Sequence, residues 1–230
     1  ETLRVYGGRP FELDAHLERL KASAARLRLP EPPTAELQSL AHEALAAAGE
    51  LDCTLRFLWT PETGLALVSA LPADLEELRA RGLRLQVCEW ATGALAGTKS
   101  VSYAENMAAQ AAAEEHGFDD ALFVAPDGTV LEAPTANVWF REGDRLHTPS
   151  LDLPILAGRD ARRAPARAER RGGPLRAGQA ARRGRGVPDV VRARGDAGRA
   201  RRRQVIRAGA RRRGAAAIGS AVRWGGMSDE

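Results

Sequence analysis

The apolar patterning that can build a core stops at Gly158. Residues 159–230 carry 21 arginines, no lysine and six acids, whereas residues 1–158 carry 13 basic and 24 acidic side chains. The formal charges are +15 and −11, so the net +4 of the whole chain describes neither segment. Beyond Gly158, arginine, glycine and alanine recur with no sustained apolar period of 2 or 3.6. A fold must therefore be sought in residues 1–158, enough chain for one large domain or two small ones.

Within that stretch the alternation over Glu1–Tyr6 predicts a strand, and Gly7-Gly8 a hairpin turn. Asp14 is placed to cap a helix whose apolar positions Leu17, Leu20, Ala24 and Leu27 recur at helical spacing, ending before Pro30. A second helix is expected from Thr34 to about Ala48. Thr54–Thr60 and Leu65–Leu71 flank the turn signal Pro61-Glu62-Thr63-Gly64 and read as a hairpin. A short helix over Asp74–Arg81 and a strand over Leu83–Cys88 complete an α+β unit spanning residues 1–88. Ala91–Gly97 reads as a linker. The second unit, 89–158, is expected to hold a helix over about Ala104–His116, then strands at Ala121–Ala125, Thr129–Leu131, Val138–Arg141 and Arg145–Thr148. Glu1 opens directly into a strand pattern, so residues preceding it are expected.

Cys53 and Cys88 lack metal-ligand spacing and read as two reduced thiols rather than a disulfide. No apolar run approaches the roughly 20 residues of a membrane span and no signal peptide is visible, so a cytoplasmic protein is the expectation. Chemistry that needs a deprotonatable amine has only Lys21 and Lys99 to draw on, because the 32 arginines stay protonated. Lys21 sits in an arginine-rich amphipathic helix. Lys99 lies between a glycine-bearing loop and a helix, where a side chain can enter a cleft, although a solvated charge fits that position too.

Three segments settle the choice by resemblance. Gly97-Thr98-Lys99-Ser100-Val101-Ser102-Tyr103-Ala104-Glu105-Asn106 resembles the cofactor-lysine segment of class IV aminotransferases. Val130-Leu131-Glu132-Ala133-Pro134-Thr135-Ala136-Asn137-Val138-Trp139 resembles their glutamate motif. His16-Leu17-Glu18-Arg19-Leu20 with Ser23-Ala24 resembles their H-x-x-R-L-x-x-S-A helix, and Glu1-Thr2-Leu3-Arg4 the end of their first strand. The resemblance implies an α+β, fold type IV enzyme: a small N-terminal domain and a strand-rich second domain, working as a homodimer with pyridoxal 5′-phosphate. It implies that Lys99 carries the cofactor and shuttles a proton, and that Glu132 pairs with the pyridine nitrogen. It gives Arg19 the phosphate, Tyr103 the cofactor's phenolic oxygen, and Thr135 and Ala136 the substrate side. His16 reads as structural. Without the resemblance, Arg19 and Glu132 are ordinary surface charges. Ala133 stands where the family usually has glycine, and Ala136 where relatives often carry a polar residue. The implied reaction is transamination between an α-amino acid and a 2-oxo acid. The alternative is aminodeoxychorismate lyase, which shares fold and cofactor.

The basic segment, 159–230, admits two readings. One is a polybasic arm that binds nucleic acid, which holds only if the tail is genuine. The other is GC-rich coding sequence read out of frame, which lysine-free arginine richness favours. Joining the second and third base of each codon to the next first base lets Gly158–Ala166 encode G-V-T-R-D-A-L-L-R, and the class IV family follows its L-x-G segment with G-[IV]-T-R. In the same frame Val187–Arg203 can encode a segment beginning F-L-T-S-S, which resembles the family's later phosphate-side strand. On this reading the second domain is truncated, and the tail is expected to be largely irregular, leaving apolar surface exposed before it.

Overall fold

The computed structural model describes residues 1–49, 52–142 and 145–158, together with the short strands 168–171, 190–192 and 221–225. The chain divides into two compact units, one of Glu1–Leu75 with Arg199–Glu230 and one of Glu76–Gly198.

The first unit is a helix-covered antiparallel sheet. Strands β1 (Thr2–Tyr6) and β2 (Arg9–Pro10) form a hairpin with Val5 opposite Pro10. Gly7 and Gly8 turn it at φ +50° and +77°, a pair of left-handed residues that glycine adopts without steric cost. Helices α1 (Leu13–Arg26) and α2 (Thr34–Ala48) follow, then the hairpin β3 (Cys53–Trp59) and β4 (Thr63–Ala70). The sheet order is β11-β4-β3-β1-β2, where β11 is Ala221–Gly225. Alternation puts Cys53, Leu55 and Phe57 of β3 and Ala66 and Val68 of β4 on the face covered by the helices. Leu17 and Leu20 of α1 and Leu37, Leu40, Ala41, Ala44 and Leu45 of α2 meet them there. Asp14 does not cap α1. The helix begins one residue before it, after Glu12 at φ +53°, and Asp14 instead accepts from Gln38 Nε2 at 2.7 Å, linking α1 to α2.

In the second unit α3 (Leu75–Arg81) leads to β5 (Leu85–Glu89), which pairs in parallel with β6 (Asp120–Val124). Parallel neighbours require a crossover, and residues 90–103 with α4 (Ala104–Glu115) supply it. This pairing groups β5 with the second unit, so the division falls after Leu75 rather than at the expected residue 88, and 91–97 lies inside the unit. Ala109 and Ala113 of α4 pack on Ala121, Phe123, Leu131 and Ile155. The expected strand at Thr129–Leu131 is only a bridge between Val124 and Val130, reinforced by Leu131 N–H donating to Phe123 O at 2.9 Å. A second sheet has the order β10-β7-β8-β9, built from β7 (Val138–Glu142), β8 (Arg145–Pro149), β9 (Ala168–Arg171) and β10 (Val190–Arg192).

In the tail, expected to be largely irregular, the described residues form the strands β9, β10 and β11. Strand pairing needs only backbone donors and acceptors, and the edges of β8, β7 and β4 accept these three segments whatever their side chains. The rest of 159–230, including the shifted G-V-T-R and T-S-S stretches, lies outside the described residues. Among the described residues Val87, Leu95, Val101, Met107 and Phe118 of the second unit expose large apolar side chains. Cys53 and Cys88 are free thiols, and burial pushes both up from the ordinary cysteine value. No described helix is long and apolar enough to cross a membrane.

Candidate active site

The lysine segment occupies the crossover between β5 and α4. Thr98 N–H closes a turn on Leu95 O at 2.9 Å, and Gly97 takes φ +72°, so the backbone bends sharply just before Lys99. Tyr103 stands at the N-terminus of α4 and its carbonyl accepts from Met107 at 2.9 Å. Lys99 Nζ is 3.5 Å from the Tyr103 hydroxyl and 5.7 Å from the centre of its ring. Both side chains are half-buried, and the phenol lies within reach of the amine as a polar partner or as a π face.

Glu132 is held from several sides. Its main-chain carbonyl accepts from Phe123 N–H at 2.8 Å, which anchors the residue to β6. Its two carboxylate oxygens share the Leu156 N–H at 3.1 Å each, and Oε2 also accepts from Asn137 Nδ2 at 3.2 Å. Between Glu132 and Asn137 the chain makes a tight turn in which Ala133 and Ala136 exchange backbone hydrogen bonds of 2.8 and 3.3 Å. Thr135 lies at the tip of this turn. Ala136 packs against the cluster of Leu85, Leu122, Val124 and Val138. Asn106, on the first turn of α4, donates to Pro134 O at 2.9 Å. The Asn106–Pro134 hydrogen bond thus joins the lysine segment to the glutamate motif.

Arg19 belongs to the first unit. Its Nε and one Nη donate to Oε1 and Oε2 of Glu1 at 2.9 and 2.7 Å, a two-point fork that fixes the guanidinium plane. His16 Nδ1 also meets Oε2 of Glu1, at 2.8 Å. The Glu1 side chain is fully buried. Burial alone would raise its carboxyl, but hydrogen bonds from His16 and Arg19 outweigh burial and hold it well below the usual carboxylate range. His16 is lowered, by burial first, against the opposing pull of Glu1. The imidazole is thus held neutral, with Nδ1–H donating to Glu1.

The structure therefore brings Lys99 to Tyr103, and Asn106 of the same segment to the turn carrying Glu132, Thr135 and Ala136. Sequence reasoning passed over Glu1, Asn106, Asn137 and Gly158. Asn137 carried a signal, an amide set among the apolar residues Ala136, Val138 and Trp139. A half-buried amide in such a run still needs partners. Glu1 carried none, because its partners lie 15 and 18 residues away and only the folded sheet and helix bring them together.

The class IV aminotransferase family model matches residues 1–176. A bifunctional aminodeoxychorismate lyase/D-amino acid transaminase of Mycobacterium tuberculosis is 32% identical over 184 residues, covering 69% of this chain and 64% of that protein. A probable branched-chain-amino-acid aminotransferase of Rickettsia bellii is 32% identical over 169 residues, 66% of this chain and 58% of that protein. A hypothetical aminotransferase from M. tuberculosis, solved with α-ketoglutarate and PMP, superposes with a TM-score of 0.69 at 30% identity, covering 78% of this chain and 72% of that one. It has also been solved in a PLP-bound form. The chain spans about six-tenths of the length of the curated relatives it matches. Matching motifs, fold and family model agree: the chain belongs to the class IV aminotransferase family.

Proposed function

We propose that this chain serves a pyridoxal 5′-phosphate-dependent transfer of an amino group between an α-amino acid and a 2-oxo acid. The observation that carries the reading is the pairing of Lys99 Nζ with the Tyr103 hydroxyl at 3.5 Å, tied through Asn106 to the turn that bears Glu132. The donor set fits the cofactor: a primary amine, a phenol beside it, and a carboxylate pinned by a backbone amide. When bound, the cofactor supplies an electron-withdrawing ring that stabilises the carbanion left at the substrate's Cα. Lys99 holds the cofactor and then moves a proton at Cα through Nζ. Tyr103 orients that amine and meets the cofactor's phenolic oxygen. Glu132 keeps a proton on the ring nitrogen by placing a fixed negative charge against it. Arg19, its plane set by Glu1, takes phosphate oxygens, and Thr135 and Ala136 lie on the substrate side. A homodimer in the cytoplasm belongs to the same reading and rests on family membership.

A second reading, pyruvate elimination from aminodeoxychorismate, is favoured by the bifunctional M. tuberculosis relative. Both are tested on a chain with its reading frame restored after residue 158. It is incubated with an amino acid panel plus 2-oxoglutarate, and separately with aminodeoxychorismate. Glutamate formation dependent on the added amino acid is the expected result. Pyruvate release from aminodeoxychorismate without glutamate formation would replace the first reading by the second.

A further inference from the structure

The amide of Asn137 bridges two acceptors, donating through Nδ2 to Glu132 Oε2 at 3.2 Å and to Leu156 O at 2.8 Å. Leu156 N–H in turn spans both Glu132 oxygens. The amide's two N–H groups suit two acceptors, whereas a reversed amide would set Oδ1 against a carboxylate and a carbonyl. The network therefore fixes which way Asn137 points. Its Oδ1 then faces Gly158, where an added Cβ would fall 1.8 Å from Oδ1 and 3.0 Å from Cγ. Gly158 has no left-handed φ, so what this position demands is space rather than backbone freedom.

We propose that Asn137 is the positioning residue for Glu132, and that Gly158 leaves the space in which it works. The proposal rests on the reading of Glu132 as the group facing the cofactor's ring nitrogen. A glutamate side chain has three rotatable bonds, and a charge that must meet one nitrogen works only if its rotamer is held. The Leu156 amide by itself sits symmetrically between the two oxygens and resists rotation about the last bond weakly. Asn137 adds a donor to one oxygen only and removes that symmetry. It also grips the Leu156 carbonyl, so the carboxylate, the amide and the backbone of residues 156–158 move as one body.

This predicts coupling between two positions that leave the lysine and the glutamate untouched. Asn137→Ala removes the donor. Gly158→Ala keeps the donor and displaces it. Once Asn137 is alanine, the atoms nearest the new Cβ among the described residues are gone, and Gly158→Ala should add no further effect.

The test uses the full 230-residue chain saturated with pyridoxal 5′-phosphate labelled with 15N in the ring, reading ring-nitrogen protonation by NMR across a pH series beside the visible absorbance of the lysine-bound cofactor. Each single variant should lower the ring-nitrogen midpoint by about one pH unit, the scale of one lost hydrogen bond to a charged group. The double variant should match Asn137→Ala. Thermal melts identify any variant that fails to fold, and the two single variants reach the same end by different routes. If neither this chain nor one with its reading frame restored after residue 158 gives a lysine-bound visible band, the functional reading fails and this inference with it; if only the restored chain gives it, the same variants are read there. A normal band with unmoved ring-nitrogen midpoints in the single variants would overturn the inference alone, as would strictly additive effects in the double variant.

Discussion

A carboxylate with no solvent contact, clasped by an arginine and a histidine, makes Glu1 a residue whose protonation costs the first unit stability. Its folded-state value lies below the unfolded one, so it contributes stability that is present above the ordinary 4.5 and is lost as pH falls below it. His16, lowered by burial, resists protonation in the folded state, so its contribution is present above 6.5 and is lost as pH falls below that value. Thermal melts should therefore decline below pH 6.5 and steepen below 4.5, and Glu1→Gln should flatten the steeper limb. A melting temperature independent of pH from neutrality to acid would contradict this. At the proposed reaction centre, Glu132→Gln keeps size and removes charge. In a frame-restored chain, turnover should fall by about two orders of magnitude or more while cofactor affinity falls less, read as kcat against cofactor Kd. Lys99 was legible as a candidate from scarcity and motif order, and Glu132 from motif order alone. The network that aims Glu132 was not, because its members are an amide beyond a tight turn and a backbone N–H 24 residues away.

At the scale of elements, the periodic segments were read well and the irregular ones poorly. The apolar spacing in Thr34–Ala48 matches the buried face of α2, and alternation gave β3 and β4 to within two residues at each end. The start of α1 was misplaced because Asp14 found a partner on α2 instead of capping its own helix, a tertiary contact with no local trace. The tail strands were missed for a related reason, since strand pairing depends on an available edge and not on the joining segment's own pattern. Phe57, with no exposure at the centre of β3, is the strictest check on the first unit's core. Phe57→Ala should cost roughly 3–5 kcal/mol in a denaturant melt, the range for a large aromatic deleted from a packed interior. A cost below about 1 kcal/mol would mean that the helices do not close over the sheet.

At the scale of the whole molecule, the charge break at residue 158 divides an acidic segment from an arginine-rich one, and the class IV family model runs past it to residue 176. A phosphate dianion binds tightly only where several donors converge. In the reading proposed here, the G-[IV]-T-R and T-S-S segments that would supply many of them are encoded out of frame. The 230-residue chain should then hold pyridoxal 5′-phosphate at least about tenfold more weakly than a frame-restored chain, since each lost charge-assisted hydrogen bond is worth roughly 1.5–3 kcal/mol. It should also show no measurable transamination. Equal affinities and rates for the two chains would remove the frameshift from the account. Whether Lys99 carries the cofactor is read by borohydride reduction of the cofactor-loaded chain followed by peptide mapping. The label is expected on the peptide containing Lys99 and should be lost in Lys99→Ala, whereas its recovery on Lys21 would refute the assignment.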